Sequence, residues 1–401
     1  MTALRDMIKD PSAAELELVA RYGSFAEDAR RERAFKAFAA NGLPHRRMEA
    51  FKWTDFKAKL KTLDGGTAGR VDPFAAIAGH VIAVTPKGIS GLEALPEGLR
   101  MVQRSDGVAF GASEDVPMGA LTAALTKQTI MFDVTETPNQ AIRLVYQGAG
   151  AALFSRFVFV VRPGVSLKVY ETHLGGASLN ASLVRFDVKA GAQVERTLIQ
   201  PSALGEAHTI TAEVQIDETG RYTQTALAFG ADVARIETRV VHQQTNAQAT
   251  LNGAYLAASG HHIDFTSHVR HGARDCQTIQ RTKGAVLNGG TGVFQGKFHV
   301  PRNVGQQTDA DMQHNALLLE DGAVVNAKPE LEIYADDVEC AHGNTCGALD
   351  AEALFYMRQR GISEAQAKAM LTEAFIADAL ETAPEMVRDV LQKKAQGWLA
   401  I

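Results

Sequence analysis

Cysteine is scarce, with only three in 401 residues. So few thiols in so long a chain cannot staple a small fold with disulfides, and a reducing compartment keeps them free, so any role they have is metal or sulfur chemistry. Clustered positive charge is also missing. The net charge is −5 with no Lys/Arg block, which argues against nucleic acid, because phosphate binding needs concentrated cations. No apolar run reaches bilayer length, and the opening MTALRDMIKDPSAAE has no apolar leader core. A soluble, cytoplasmic protein with no membrane contact is therefore expected. There is no GxxxxGK[ST] phosphate cradle, so the chain itself is not expected to hydrolyse ATP. Tryptophan and tyrosine number 2 and 7, few for the long aromatic-lined groove of a sugar-processing enzyme.

What is present is apolar content, 46% of the residues, in a chain longer than one ordinary domain. Pro11 to Gly42 has helical periodicity. Ser12 and Glu15 stand at capping-box spacing before Leu16, Val19 and Tyr22, and a second helix is expected from about Phe25 to Ala40, opened by Ser24 and Glu27. In the following PHRRMEAFKWTDF, Phe51, Trp53 and Phe56 are either a docking surface or a plug joining the helices to the next region.

Between Phe74 and about Asp337 short β-type runs replace helical periodicity, among them HVIAV, QTIMFDV, IRLVY and RFVFVV. Phe157, Leu183, Ile210, Ile236 and Ile263 lie successively 26, 27, 26 and 27 residues apart, and the turn formers Gly164, Gly191, Gly220, Asn246 and Gly272 recur at a similar interval. A strand-bearing repeat of this period predicts a right-handed parallel β-helix, with the apolar column as its inner ladder and roughly ten coils in all. After Asp350 the pattern is helical again. Ser363 and Gln366 form a capping box, and Pro384 begins a last helix. Three regions follow: an N-terminal helical region over 1–73, a β-helix core over 74–345 and a C-terminal helical domain over 346–401. The short tail has little core of its own, so its apolar stripes must lie on the rod or on another protein.

The chemistry concentrates in KPELEIYADDVECAHGNTCGALD, Lys328 to Asp350. LEIYA predicts a strand with Leu331, Ile333 and Ala335 on one side, and the Cys340, Ala341, His342 triplet falls in the turn that follows. Thiolate suits iron–sulfur clusters and soft metals, and imidazole replaces thiolate on iron in Rieske centres. Two donors cannot complete a set of four, so a cluster here needs ligands from another chain. By spacing alone, Cys340 and His342 are equally a packed thiol beside a core histidine. Cys276, on a repeat strand, reads as a core side chain. The acids Glu330, Glu332, Asp336, Asp337 and Glu339 raise a β-helical carbohydrate enzyme as a rival, although Glu330 and Glu332 alternate onto an outer face where charge is solvated. HHIDFTSHVRHG gathers His261, His262, His268 and His271. His262 and Asp264 share a face at strand spacing, where a metal site and a water-facing surface are both open readings. A passive metal-binding scaffold is the third possibility.

KPELEIYADDVECAHG followed by GALDAEALFYMRQRGIS resembles the C-terminal signature of the SufD family, scaffold subunits of the SufBCD iron–sulfur cluster assembly complex. RRMEAFKWTDF, Arg46 to Phe56, is similar to a second family pattern, with Phe51 and Trp53 where Trp and Tyr are expected. The resemblance implies a non-catalytic scaffold that pairs with a SufB-like subunit through the β-helix and docks a SufC-like ATPase through its C-terminal helices, with a homodimer possible in isolation. It further implies a transient cluster shared with SufB, none being bound by the isolated chain. The family's functional histidine falls on His342 as iron ligand, and its neighbouring cysteine on Cys340, as a second ligand or a sulfur-contacting interface residue. Cys346 stands where the family has an apolar residue.

Overall fold

The corners of the repeat set the architecture of the computed structural model, which describes residues 8–66, 70–102, 116–302 and 304–399. The Met1 to Met7 stretch, read above for a leader, lies outside the described residues. Gly164, Gly191, Thr219, Asn246, Asp275 and Gln307 all have φ between 55° and 72°, the left-handed conformation that turns the chain sharply. The corners are joined in series. The amide of Gly164 donates to Ala190, Gly191 to Glu218, Thr219 to Thr245 and Asn246 to Arg274. Gly164, Gly191 and Asn246 are thus turn residues, whereas Gly220 directly follows the turning residue Thr219 and Gly272 lies three residues before the turning residue Asp275.

The elements in chain order are α1 (Ala13–Tyr22), α2 (Ala29–Asn41), α3 (Phe56–Lys59), β1 (His80–Thr85), β2 (Gly88–Ser90), β3 (Leu99–Met101), α4 (Pro117–Leu125) and β4 (Thr129–Val134). Long strands β5 (Ile142–Val161) and β6 (Ser166–Val188) come next. Then follow β7 (Gln193–Pro201), β8 (Ala207–Ile216), β9 (Arg221–Phe229), β10 (Val233–His242), β11 (Gln248–Ala257), β12 (His262–His271) and β13 (Gln277–Val286). The chain finishes with β14 (Thr291–Val300), β15 (Thr308–Leu318), β16 (Val324–Ile333), β17 (Val338–Gly347), α5 (Ala351–Gln359), α6 (Glu364–Ala377) and α7 (Glu385–Leu399).

Apart from the antiparallel pairings β1–β2 and β3–β4, each strand pairs in parallel with one a coil away. The first halves of β5 and β6 join β1, β7, β9, β11, β13, β15 and β17 in one stack. Their second halves join β4, β8, β10, β12, β14 and β16 in the other. The result is a parallel β-helix of about 8 turns, fewer than the ten expected. The paired residues show why: coils grow from 27 residues at Phe157–Val184 to 33 at Thr291–Val324, and β1 at His80 pairs directly with Ile142.

The inner ladder also differs from the expected one. Ile210 and Ile236 do face each other, but Phe157 pairs with Val184, Leu183 with Thr211, and Ile263 with Ala234. A one-residue offset turns a side chain to the other face, so Leu183 packs outside against Val158. The true interior column at Ile236 continues through Phe265, Phe294 and Ala327.

Helices flank the solenoid. The Ser12–Glu15 capping box is present. Glu15 is fully buried, and its carboxylate accepts from the Leu43 amide at 2.7 Å and pairs with Lys57 at 3.0 Å. The second helix starts at Ala29, later than expected, because the Asp28 carboxylate accepts from the Arg30 and Arg31 amides and makes the stronger cap. Phe51 and Phe56 plug the N-terminal helices onto the β-helix, with the Arg235 guanidinium 4.2 Å from the Phe51 ring centre. Asp350 and Ser363 cap α5 and α6 as read from the sequence. Val387, Leu391, Ala395 and Trp398 of α7 bury on the rod's outer face against Leu227, Ala254 and Leu256.

Candidate functional site

The solenoid does not taper off into a helix; it stops on a strand. Cys340, Ala341 and His342 lie within β17, not in a turn, in register with Ala310, Asp311 and Met312 of β15. Ten residues of ladder pairing hold this segment extended, which outweighs the glycine and asparagine that read as a turn. Side chains on one face of a strand recur every two residues. Ala310, Met312, His314 and Ala316 are buried in the interior column of β15, and their register partners in β17 are Cys340, His342, Asn344 and Cys346. The last interior layer of the rod therefore consists of two thiols, an imidazole and an amide.

Among the described residues β17 pairs with β15 alone, leaving a parallel edge of unsatisfied backbone groups. Cys340 is half-buried against the core, whereas His342, Asn344 and Cys346 are exposed. Burial, followed by the nearby Asp309 carboxylate, pushes the Cys340 thiol up to about 11, and burial also raises Cys346. Both are neutral thiols at pH 7, so binding metal requires loss of a proton. Among the described residues no three His, Cys, Asp or Glu side chains come together as a metal site.

The other candidates are dispersed. On β16, Leu331 packs on the core, while Glu330 pairs with Lys328 at 3.1 Å and Glu332 with Lys297 at 2.6 Å on the outer face. They are ion-paired with lysines, not set as facing carboxylates. The four histidines of β12 and its approach diverge with the strand pleat. His262 and Asp264 face outward but are buried, both meeting the Thr54 hydroxyl, with Arg235 donating to Asp264 at 2.9 Å. This pair anchors the N-terminal segment, so the surface is not water-facing. His271 points inward, its ring 4.8 Å from that of His242. Cys276 is buried in the core, its thiol pushed up to about 11 by burial.

The interior also holds polar groups that the sequence does not announce. Arg196, fully buried, donates to both carboxylate oxygens of Glu171 at 2.7 and 2.9 Å, and to Gln224 at 2.8 Å. Burial raises the Glu171 carboxyl, but the Arg196 guanidinium outweighs it and holds the group at about 2. The one available signal is the alternation of VERTLIQ, which places Arg196 on the same face as Val194 and Leu198.

Buried imidazoles give a pH prediction. Burial pushes His262, His268, His271 and His314 down to about 4 from the ordinary 6.5. On acidification the unfolded chain takes up these protons first, so the stabilisation is complete above pH 6.5 and is lost as pH falls towards 4. Urea midpoints should therefore drop steadily between pH 7 and 4. A flat profile across that window would contradict the burial of these rings.

By architecture the chain is a parallel β-helix protein whose solenoid stops on a strand that, among the described residues, is paired along one edge only and bears thiol and imidazole donors. Residues 144–375 match the family model for the SUF system FeS cluster assembly, SufBD core domain, and the chain belongs to this family of iron–sulfur cluster assembly proteins. It is 36% identical over 153 residues to the iron–sulfur cluster assembly protein SufD of Escherichia coli, covering 38% of this chain and 36% of the relative. A SufBD family protein of Synechocystis is 30% identical over 197 residues, covering 48% and 42%. A chloroplastic protein of Arabidopsis thaliana, ABCI7, is 27% identical over 250 residues, covering 61% and 52%. The chain thus spans about a third to a half of the length of these relatives.

Proposed function

We propose that the chain is the SufD-like scaffold subunit of a SufBCD-type complex and that a nascent iron–sulfur cluster is built at its open end, between β17 and a SufB-like partner. The observation that carries the reading is that last layer: Cys340 and His342 two residues apart on one face of a strand that, among the described residues, is paired along one edge only. Residues two apart on a strand face are close enough for one iron atom or one small cluster, and a sister chain supplies the other ligands. His342 serves as the iron ligand. Cys340, a protonated thiol in the free chain, is the second ligand or contacts sulfur. The chain acts without catalysis of its own, and the cluster is cargo.

The ATPase docks on the C-terminal helices. Phe355, Tyr356 and Met386 are 64%, 59% and 63% exposed on α5 and α7, large apolar side chains left in solvent that support this assignment. Phe355→Asp changes no buried contact, so it should leave the melting temperature unaltered and reduce co-elution with a co-expressed SufC-like ATPase about 10-fold or more. Undiminished co-elution would remove α5 from the docking surface. The same co-expression tests the whole reading: a chain that retains neither a SufB-like nor a SufC-like partner is not this subunit.

A further inference from the structure

Beneath the last layer lies a hydrogen-bonded relay that no ligand role explains. His314, fully buried in β15, is stacked on Phe294 with ring centres 4.6 Å apart. Its Nδ1 is 2.7 Å from Oδ1 of Asn344 and its Nε2 is 2.8 Å from the Tyr255 hydroxyl. Tyr255 is fully buried, in a slot left by Gly284 and Gly292, where an added Cβ would collide with its ring. Among the described residues the Tyr255 hydroxyl has no other hydrogen-bond partner.

That last fact fixes the direction of the chain. A neutral imidazole has one donor and one acceptor nitrogen. If Asn344 donated its amide to His314, then Nε2–H would donate to the tyrosine oxygen, and the buried phenolic hydrogen would be stranded at a cost of about 1–3 kcal/mol. With the opposite polarity every group is satisfied: Tyr255 O–H donates to Nε2, and Nδ1–H donates to Asn344 Oδ1. The amide NH2 of Asn344 is then turned away from the interior. It lies on the strand face shared with His342, two residues before it, and Cys346, two residues after.

We propose that Asn344 donates a hydrogen bond to a sulfide or thiolate sulfur of the cluster assembled beside His342, and that His314 and Tyr255 are the positioning residues that aim it. This rests on the cluster-assembly reading above. Hydrogen bonds to cluster sulfurs stabilise their negative charge and tune the metal, and loss of such an outer partner costs about 10–100-fold in metal retention.

Two experiments test it. In the full-length chain without metal, long-range 1H–15N correlation of the imidazoles should show His314 as the Nδ1–H tautomer; an Nε2–H tautomer would overturn the polarity and the proposal with it. In the complete complex loaded with ferrous iron and sulfide, Asn344→Asp replaces the donor by a carboxylate while keeping the acceptor for His314. Iron loss to a ferrous chelator should accelerate about 10-fold. His314→Phe keeps the ring stack but drops both bonds, and should accelerate the loss in the same direction by less, so the test survives if Asn344→Asp fails to assemble. Unchanged rates in both variants, with His342→Ala unable to load, would overturn this inference and leave the site reading intact. A His342→Ala complex that loads and releases iron like the parent would overturn both.

Discussion

Arg196→Met should lower the stability of the chain by about 3–5 kcal/mol, the largest loss expected of any single conservative change here. The guanidinium lies wholly inside the solenoid, bidentate to Glu171, with Gln224 on its remaining nitrogen and His173 3.1 Å from the far carboxylate oxygen. Methionine fills much the same space but leaves Glu171 buried without a counter-charge. The carboxyl must then take up a proton or draw water into the rod. Because coils touch only their neighbours, the damage centres on β6, β7 and β9 before it spreads. Urea denaturation measures the cost, and the double variant Arg196→Met with Glu171→Met should recover most of it, since no charge is left stranded. A single-variant loss below about 1 kcal/mol, or no recovery in the double variant, would mean the pair is not the buried anchor described.

The second large effect concerns function without stability. His342→Ala should leave folding within about 0.5 kcal/mol of the parent, because the imidazole is exposed. Maturation of client iron–sulfur proteins in cells dependent on this system should nevertheless fall by more than the roughly 10–100-fold that loss of an outer-shell partner costs. Normal maturation would remove His342 from the site and leave the fold untouched. The contrast between the two variants separates what builds the rod from what the rod presents.

How much of this could be read in the residues depends on which physical signal each element carries. The solenoid was legible because stacked coils impose a period, and Gly164, Gly191 and Asn246 mark corners that demand positive φ. Its register was not: strand faces alternate every residue, so equating Leu183 with Phe157 instead of Val184 takes an outward residue for an inner one, although Phe157, Ile210, Ile236 and Ile263 do lie in the core. Helix starts at Ser12, Asp350 and Ser363 were legible as local capping, whereas Asp28 displaced Ser24 because two amides, not one, reach its carboxylate. The Cys340–His342 pair is visible as chemistry but its local sequence reads as a turn, since nothing within ten residues reveals that β15 lies alongside. Arg196 and His314 escaped for a related reason. A charged or aromatic residue inside a β-helix is satisfied by partners one or two coils away, here 25 to 59 residues distant in sequence, and no local pattern reports them.

In the proposed site the imidazole of His342 binds iron in a cluster completed by another chain. Pulsed electron paramagnetic resonance on the reduced cluster of the assembled complex, with 15N-histidine supplied in this subunit alone, tests it most directly. The account predicts a 15N hyperfine coupling of directly bound imidazole that disappears in His342→Ala. A paramagnetic cluster with no 15N coupling, or one whose coupling survives that substitution, would contradict it.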